Sequence, residues 1–121
     1  MRAIMRIGVF CLVLVGVLTP AAYAAQNVVT FTDNSGNEQG FYLQRTTAAS
    51  VALCQSATGW AALQTLAPNI VSYTDIAVTE GVTYCYRVDA YNAAGESAWS
   101  NIAGRTVPFS VPLAPSGLVV N

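Results

Sequence analysis

Residues 72–101 read SYTDIAVTEGVTYCYRVDAYNAAGESAWSN, and the ten residues 82–91 inside this stretch decide the fold class. Successive side chains on a strand point to opposite faces, so Tyr84, Tyr86, Val88 and Ala90 form one face and Cys85, Arg87, Asp89 and Tyr91 the other. The first set is apolar and belongs against a core. The second is then the outer face, with Arg87 and Asp89 expected to be exposed at their charged ends. Turn chemistry brackets the strand, with Glu80-Gly81 before it and Asn92-Ala93-Ala94-Gly95 after it.

The same alternation continues in both directions. Upstream, Val71, Tyr73 and Ile76 precede Glu80-Gly81, and the run 60–66 is ended by Pro68-Asn69. Earlier still, Phe41, Leu43 and Arg45 come after the turn cluster Asp33-Asn34-Ser35-Gly36-Asn37, which itself comes after Val29 and Phe31. Downstream, the run 98–107 stops at Pro108. Many short strands at this spacing, rich in β-branched and aromatic residues and without a helical period, predict an all-β antiparallel sandwich. The expected core is Val29, Phe31, Phe41, Leu43 and Tyr73, together with the apolar face of the long strand.

Composition narrows the function. At 121 residues the chain has room for one small domain. With no histidine, a Ser-His-Asp or Cys-His relay and an imidazole metal ligand are both excluded, and no catalytic or cofactor-binding residue is expected. Residues 1–24 read as a secretory signal: Arg2 and Arg6, a 12-residue apolar run over 7–18, and the small-residue site Ala22-Tyr23-Ala24. Such a run spans about 18 Å, too short for a bilayer core of about 30 Å, so no permanent membrane span is expected. Cys11 falls inside that run and would leave with it. The chain beyond the signal carries Arg45, Arg87 and Arg105 against six carboxylates, a balance that does not suit nucleic acid. It also keeps an even pair of cysteines, Cys54 and Cys85. In an oxidising compartment a disulfide between them is the expectation, two buried thiols being the alternative. Because Cys85 points outward, such a bond would lie on the outer surface of a sheet.

The segments TDNSGNEQGFYLQR (32–45) and SYTDIAVTEGVTYCYRVDAYNAAGESAWSN (72–101) closely resemble bacterial fibronectin type III domains, most specifically in Y-x-Y-R-V-x-A-Y-N-x-A-G. The resemblance covers residues 27–107 and implies a seven-strand sandwich. Strand B would be residues 28–32, C 41–45, C′ 60–63, E 71–74, F 82–91 and G 98–107. Tyr84 matches the family's tyrosine corner, whose hydroxyl is expected to bond backbone near residues 78–81. Phe31 stands where the family usually has Trp.

The ends depart from the pattern. The domain is expected over residues 25–107, but the family's first strand, A, would fall in the signal. Residues 108–121 form instead a Pro-rich linker and a tail, VPLAPSGLVVN (111–121), that looks like a strand A. A return of this tail onto its own domain would have to cross roughly 25–35 Å with a linker that reaches at most about 20 Å. The sharper expectation is head-to-tail donation of the strand holding Ala114, Leu118 and Val120 to a neighbouring molecule, giving a self-assembling extracellular filament or matrix subunit. The alternatives are an accessory module for a polysaccharide or protein ligand, with Trp60, Trp99, Tyr42, Tyr91 and Phe109 as candidate platform residues, or a piece of a larger secreted protein. A calcium loop over 33–38 lacks its closing carboxylate, since Gln44 stands eleven residues past Asp33, and Asp33 and Glu38 have no cleft that suggests a glycosidase pair.

Overall fold

The computed structural model describes residues 24–121. The signal-peptide reading, with Arg2, Arg6 and Cys11, lies outside the described residues. Ala25–Phe109 form one compact unit, which contains every strand named below, and Ser110–Asn121 fall to another.

Among the described residues, seven strands and one short helical turn run in order: β1 (Asn27–Thr30), β2 (Gly40–Ala48), the 3-10 turn η1 (Ala52–Ser56), β3 (Ala61–Leu66), β4 (Ser72–Asp75), β5 (Thr83–Asn92), β6 (Gly95–Glu96) and β7 (Ala103–Thr106). They build an all-β antiparallel sandwich, the fold class expected from the alternation. One sheet is the antiparallel pair β1 and β4, with Val29 opposite Tyr73. The other runs β3-β2-β5. Because β2 pairs β5 from Thr83 to Tyr91 on one edge, β6 and β7 share the opposite edge, β6 against Tyr91 and Asn92 and β7 against residues 83–86.

The apolar face of β5 packs where parity places it. Tyr84, Tyr86 and Val88 are buried with Phe41, Leu43, Leu66 and Val107. Val29, Phe31, Tyr73 and Ala90 pack against this cluster but stay half-buried. Three of these four belong to the β1/β4 side, where among the described residues only two strands cover the core.

Strand G, expected over residues 98–107, is a correction. Those residues do not form one strand; β5 is edged by β6, then an irregular segment, then β7. Serine side chains explain the break. Ser97 N–H donates to Ala90 O at 2.8 Å while Ser97 Oγ accepts from Ala90 N–H at 2.9 Å. Ser100 repeats the arrangement two residues back along β5, bonding Val88 O at 2.8 Å and accepting from Val88 N–H at 3.0 Å. Each serine thus meets one β5 residue's donor and acceptor at once, and the ladder is satisfied without regular strand geometry. Strand C is longer than expected, running to Ala48, and C′ extends to Leu66.

Two features lock the sandwich. The first is a polar chain across the core. Asp75, 1 % exposed, pairs with Arg45 at 2.8 Å and accepts from Tyr86 OH at 2.8 Å and from Ala77 N–H at 3.1 Å. Tyr86 OH in turn accepts from Asn27 Nδ2 at 2.9 Å, and Arg105 donates to Asn27 Oδ1 at 2.7 Å. A buried carboxylate is tolerable only with its oxygens met in this way. Burial drives the Tyr86 hydroxyl well above the ordinary tyrosine range, with the Asp75 carboxylate adding to the rise against the lowering effect of the Asn27 bond. The second is Tyr84, whose hydroxyl accepts from Thr79 N–H at 2.9 Å and so ties the turn before β5 to the strand itself.

Candidate functional site

The described residues do not gather nucleophile, acid and base in one cleft, and no three His, Cys, Asp or Glu side chains among them come together as a metal cage. Among them, too, no helix is long and apolar enough to cross a membrane. Asp33 and Glu38 meet instead through Ser35: Ser35 N–H donates to Asp33 at 2.9 Å and Ser35 Oγ reaches Glu38 at 2.8 Å. This is side-chain closure of a turn.

The unit does present an open groove of about 720 Å³ between the end of β1 and the irregular segment after β6. Its floor is core: Phe31, Phe41, Val88 and Ala90, with the two phenyl rings edge to face at 4.9 Å. One wall is Thr30 to Thr32 and the other the serine-bonded segment from Ser97 to Asn101. The wall from β1 is also a strand edge. Phe31 N–H bonds Val71 O at 3.1 Å toward β4, so ladder alternation turns the N–H and C=O of Val28 and Thr30 away from β4. Among the described residues no strand pairs that edge. A free edge beside an apolar floor is the arrangement that receives an added strand.

The outer face of the five-stranded sheet carries the remaining chemistry. Cys54 of η1 is bonded to Cys85 of β5, with Cα atoms 5.5 Å apart, and both residues are fully buried. Gly104 of β7 stands opposite Cys85, and a Cβ there would collide with Cys54 Sγ. Only glycine leaves space for the bridge on this face, a signal that sequence reasoning missed.

Farther along β5, the Arg87 guanidinium lies between two indoles, 4.5 Å from the Trp60 ring and 4.2 Å from the Trp99 ring. Its Nε and Nη2 both donate to Gln44 Oε1, at 2.9 and 2.7 Å. Arg87 is therefore half-buried and held on three sides, not projecting into water. Asp89 is the larger correction. Expected at the surface, it is 4 % exposed, and its Oδ1 has no hydrogen-bond partner. Parity assigned the face correctly; the ring stack of Tyr42 and Tyr91, centroids 4.1 Å apart, shows that this face is itself furnished with bulky side chains. Tyr42 and Tyr91 thus have one ring face engaged with each other, and Trp60 and Trp99 with Arg87.

Residues 110–121 contain no helix or strand. Leu118 and Val120 are 91 % and 92 % exposed, and Val111, Leu113 and Val119 are likewise open to solvent. Ala114 is exposed as well.

No protein-family model and no curated protein sequence matches this chain. Solved structures do match, at the level of fold. The third fibronectin III domain of human KIAA0343 protein superposes with a TM-score of 0.57 at 13 % identity, over 78 % of this chain and 80 % of that one. The fibronectin type III domain of human fibronectin type III domain containing protein 3 gives 0.53 at 21 %, over 79 % and 85 %. A structure described as a myokine gives 0.54 at 17 %, over 71 % and 85 %.

Proposed function

We propose that the chain is a non-catalytic, exported β-sandwich module that assembles head to tail, the segment containing Ala114, Leu118 and Val120 of one molecule lying along β1 of the next. The groove beside the unpaired β1 edge carries this reading. Val28 and Thr30 offer backbone donors and acceptors to an incoming strand, and Phe31, Phe41, Val88 and Ala90 offer an apolar floor to alternate side chains. Leu118 and Val120 are two apart and so share one face of an extended segment. Transferring a side chain as exposed as Leu118 to such a floor favours association by about 1.5–3 kcal/mol. Donor and acceptor surfaces differ, so repetition gives an open filament instead of a closed dimer. Export is supported by the Cys54–Cys85 bond, of a kind that persists in oxidising compartments. Fibronectin type III domains generally serve as binding or structural modules, which agrees with a role without catalysis.

The test uses the chain with its apolar leader removed, the same protein lacking residues 111–121, and Leu118→Asp. Burying a carboxylate against the groove floor is prohibitive, so the reading expects sedimentation to show concentration-dependent oligomers for the full chain and monomers for both variants. Monomers at every concentration for all three refute assembly, and make an accessory module for a polysaccharide or protein ligand the better reading.

A further inference from the structure

Asp89 is a buried acid whose natural counter-ion is committed elsewhere. Arg87 lies two residues away on the same face of β5, but Gln44 takes two of its donors and its guanidinium rests against the Trp60 and Trp99 rings. The neighbour left to Asp89 is another acid. Glu96 of β6 stands opposite Tyr91 in the register, which makes it the diagonal neighbour of Asp89 on the outer face. Tyr42 of β2 faces Asp89 directly across the ladder, its ring stacked on Tyr91. The charged and titratable groups around Asp89 are therefore Glu96 from β6, Arg87 and Tyr91 from β5, and Tyr42 from β2.

A buried carboxyl with an oxygen lacking a donor, diagonal to a second acid in the register, is best satisfied by carrying a proton that the second acid accepts. We propose that Asp89 takes up a proton from solvent in mild acid and donates it in a hydrogen bond to the Glu96 side chain, and that this holds the strap from Glu96 to Ser100 more firmly on β5 than at neutral pH. The strap begins at Glu96 itself and is otherwise fastened to β5 by the paired Ser97 and Ser100 bonds. It is also the wall of the groove opposite β1. The proposal concerns the folded unit alone and does not rest on strand donation.

The working range is set by the surroundings of Asp89. Burial pushes its carboxyl up to about 6; the hydrogen bond and charge of Glu96 add to the rise, while a backbone bond from Tyr42 and the charge of Arg87 oppose it. A carboxyl whose folded value lies above its unfolded value of about 4 weakens the fold once both states are ionised, and that penalty is relieved as pH falls through the folded value. Between pH 7 and pH 5 the folding constant should rise severalfold, up to about tenfold. The chain has no histidine to titrate in the same window.

Denaturant unfolding at pH 7 and pH 5, with hydrogen exchange at the Ser97 and Ser100 amides corrected for intrinsic pH dependence, tests the device. The wild-type unit should be more stable at pH 5 and its two serine amides better protected there. Asp89→Asn should lose this dependence, being at least as stable as wild type at pH 7. Glu96→Gln changes only an exposed side chain, so it folds in any case and should shrink the gain. A wild-type protein equally or less stable at pH 5, an Asp89→Asn protein that keeps the gain, or a Glu96→Gln protein with the gain unchanged overturns the proposal.

Discussion

Opening the Cys54–Cys85 bond should remove a large share of the stability of this domain, and the loss can be worked from the chain. The bond closes a loop with a sequence separation of 31. On the chain-entropy account, freeing a loop of that size in the unfolded state costs the native state about 3.5–4 kcal/mol at 25 °C. Domains of this size are stable by about 5–15 kcal/mol in total, so the reduced protein stands near the lower margin. With a urea slope of about 1.5 kcal/mol/M, the midpoint should fall by about 2.5 M. Reduced wild-type protein is the right comparison, because it keeps both sulfur atoms in a site with no exposed surface and isolates the cross-link. Cys54→Ala/Cys85→Ala should fall further, since it also loses buried contacts around Gly104. Oxidised and reduced proteins should be unfolded side by side, and the non-reduced protein alkylated and weighed intact. A difference under about 1 kcal/mol, or two alkyl labels on the non-reduced protein, would refute the reasoning.

Tyr84→Phe leaves Thr79 N–H without its acceptor, and chemical denaturation should register a loss of about 1–2 kcal/mol with an unchanged slope. Asp75→Ala strips Arg45, Tyr86 and Ala77 N–H of a common partner; a loss of about 3 kcal/mol or more is expected in the same assay, and a loss below that for Tyr84→Phe would show that the polar chain across the core is not holding the sheets together.

Alternation made the sandwich legible because a strand has only two faces and its apolar residues must share one. That rule placed Tyr84, Tyr86 and Val88 in the core and turned Cys85 outward, where its bond to Cys54 is found. It could not say how crowded the outer face is. Asp89 is buried there with Tyr42 of β2 opposite it and Glu96 of β6 diagonal to it, and the parity of a single strand carries no information about what adjacent strands contribute. The break in the last strand was hidden for a related reason. Ser97 and Ser100 are ordinary polar residues along the chain, and only their spacing of three against Ala90 and Val88, two apart on β5, reveals that their hydroxyls replace ladder bonds.

The groove belongs to the same class of feature, since it is defined by what stands on both sides of it. Phe31 and Ala90, which line it, have the pattern of core residues and yet are half-buried. Their unspent apolar surface lies beside a strand edge with unpaired backbone, and each favours covering by the same kind of element: one extended segment with apolar side chains at alternate positions. Any such segment gains both the ladder and the floor at once, which is why a single aspartate at Leu118 is a sharper probe of the reading than loss of any one backbone bond.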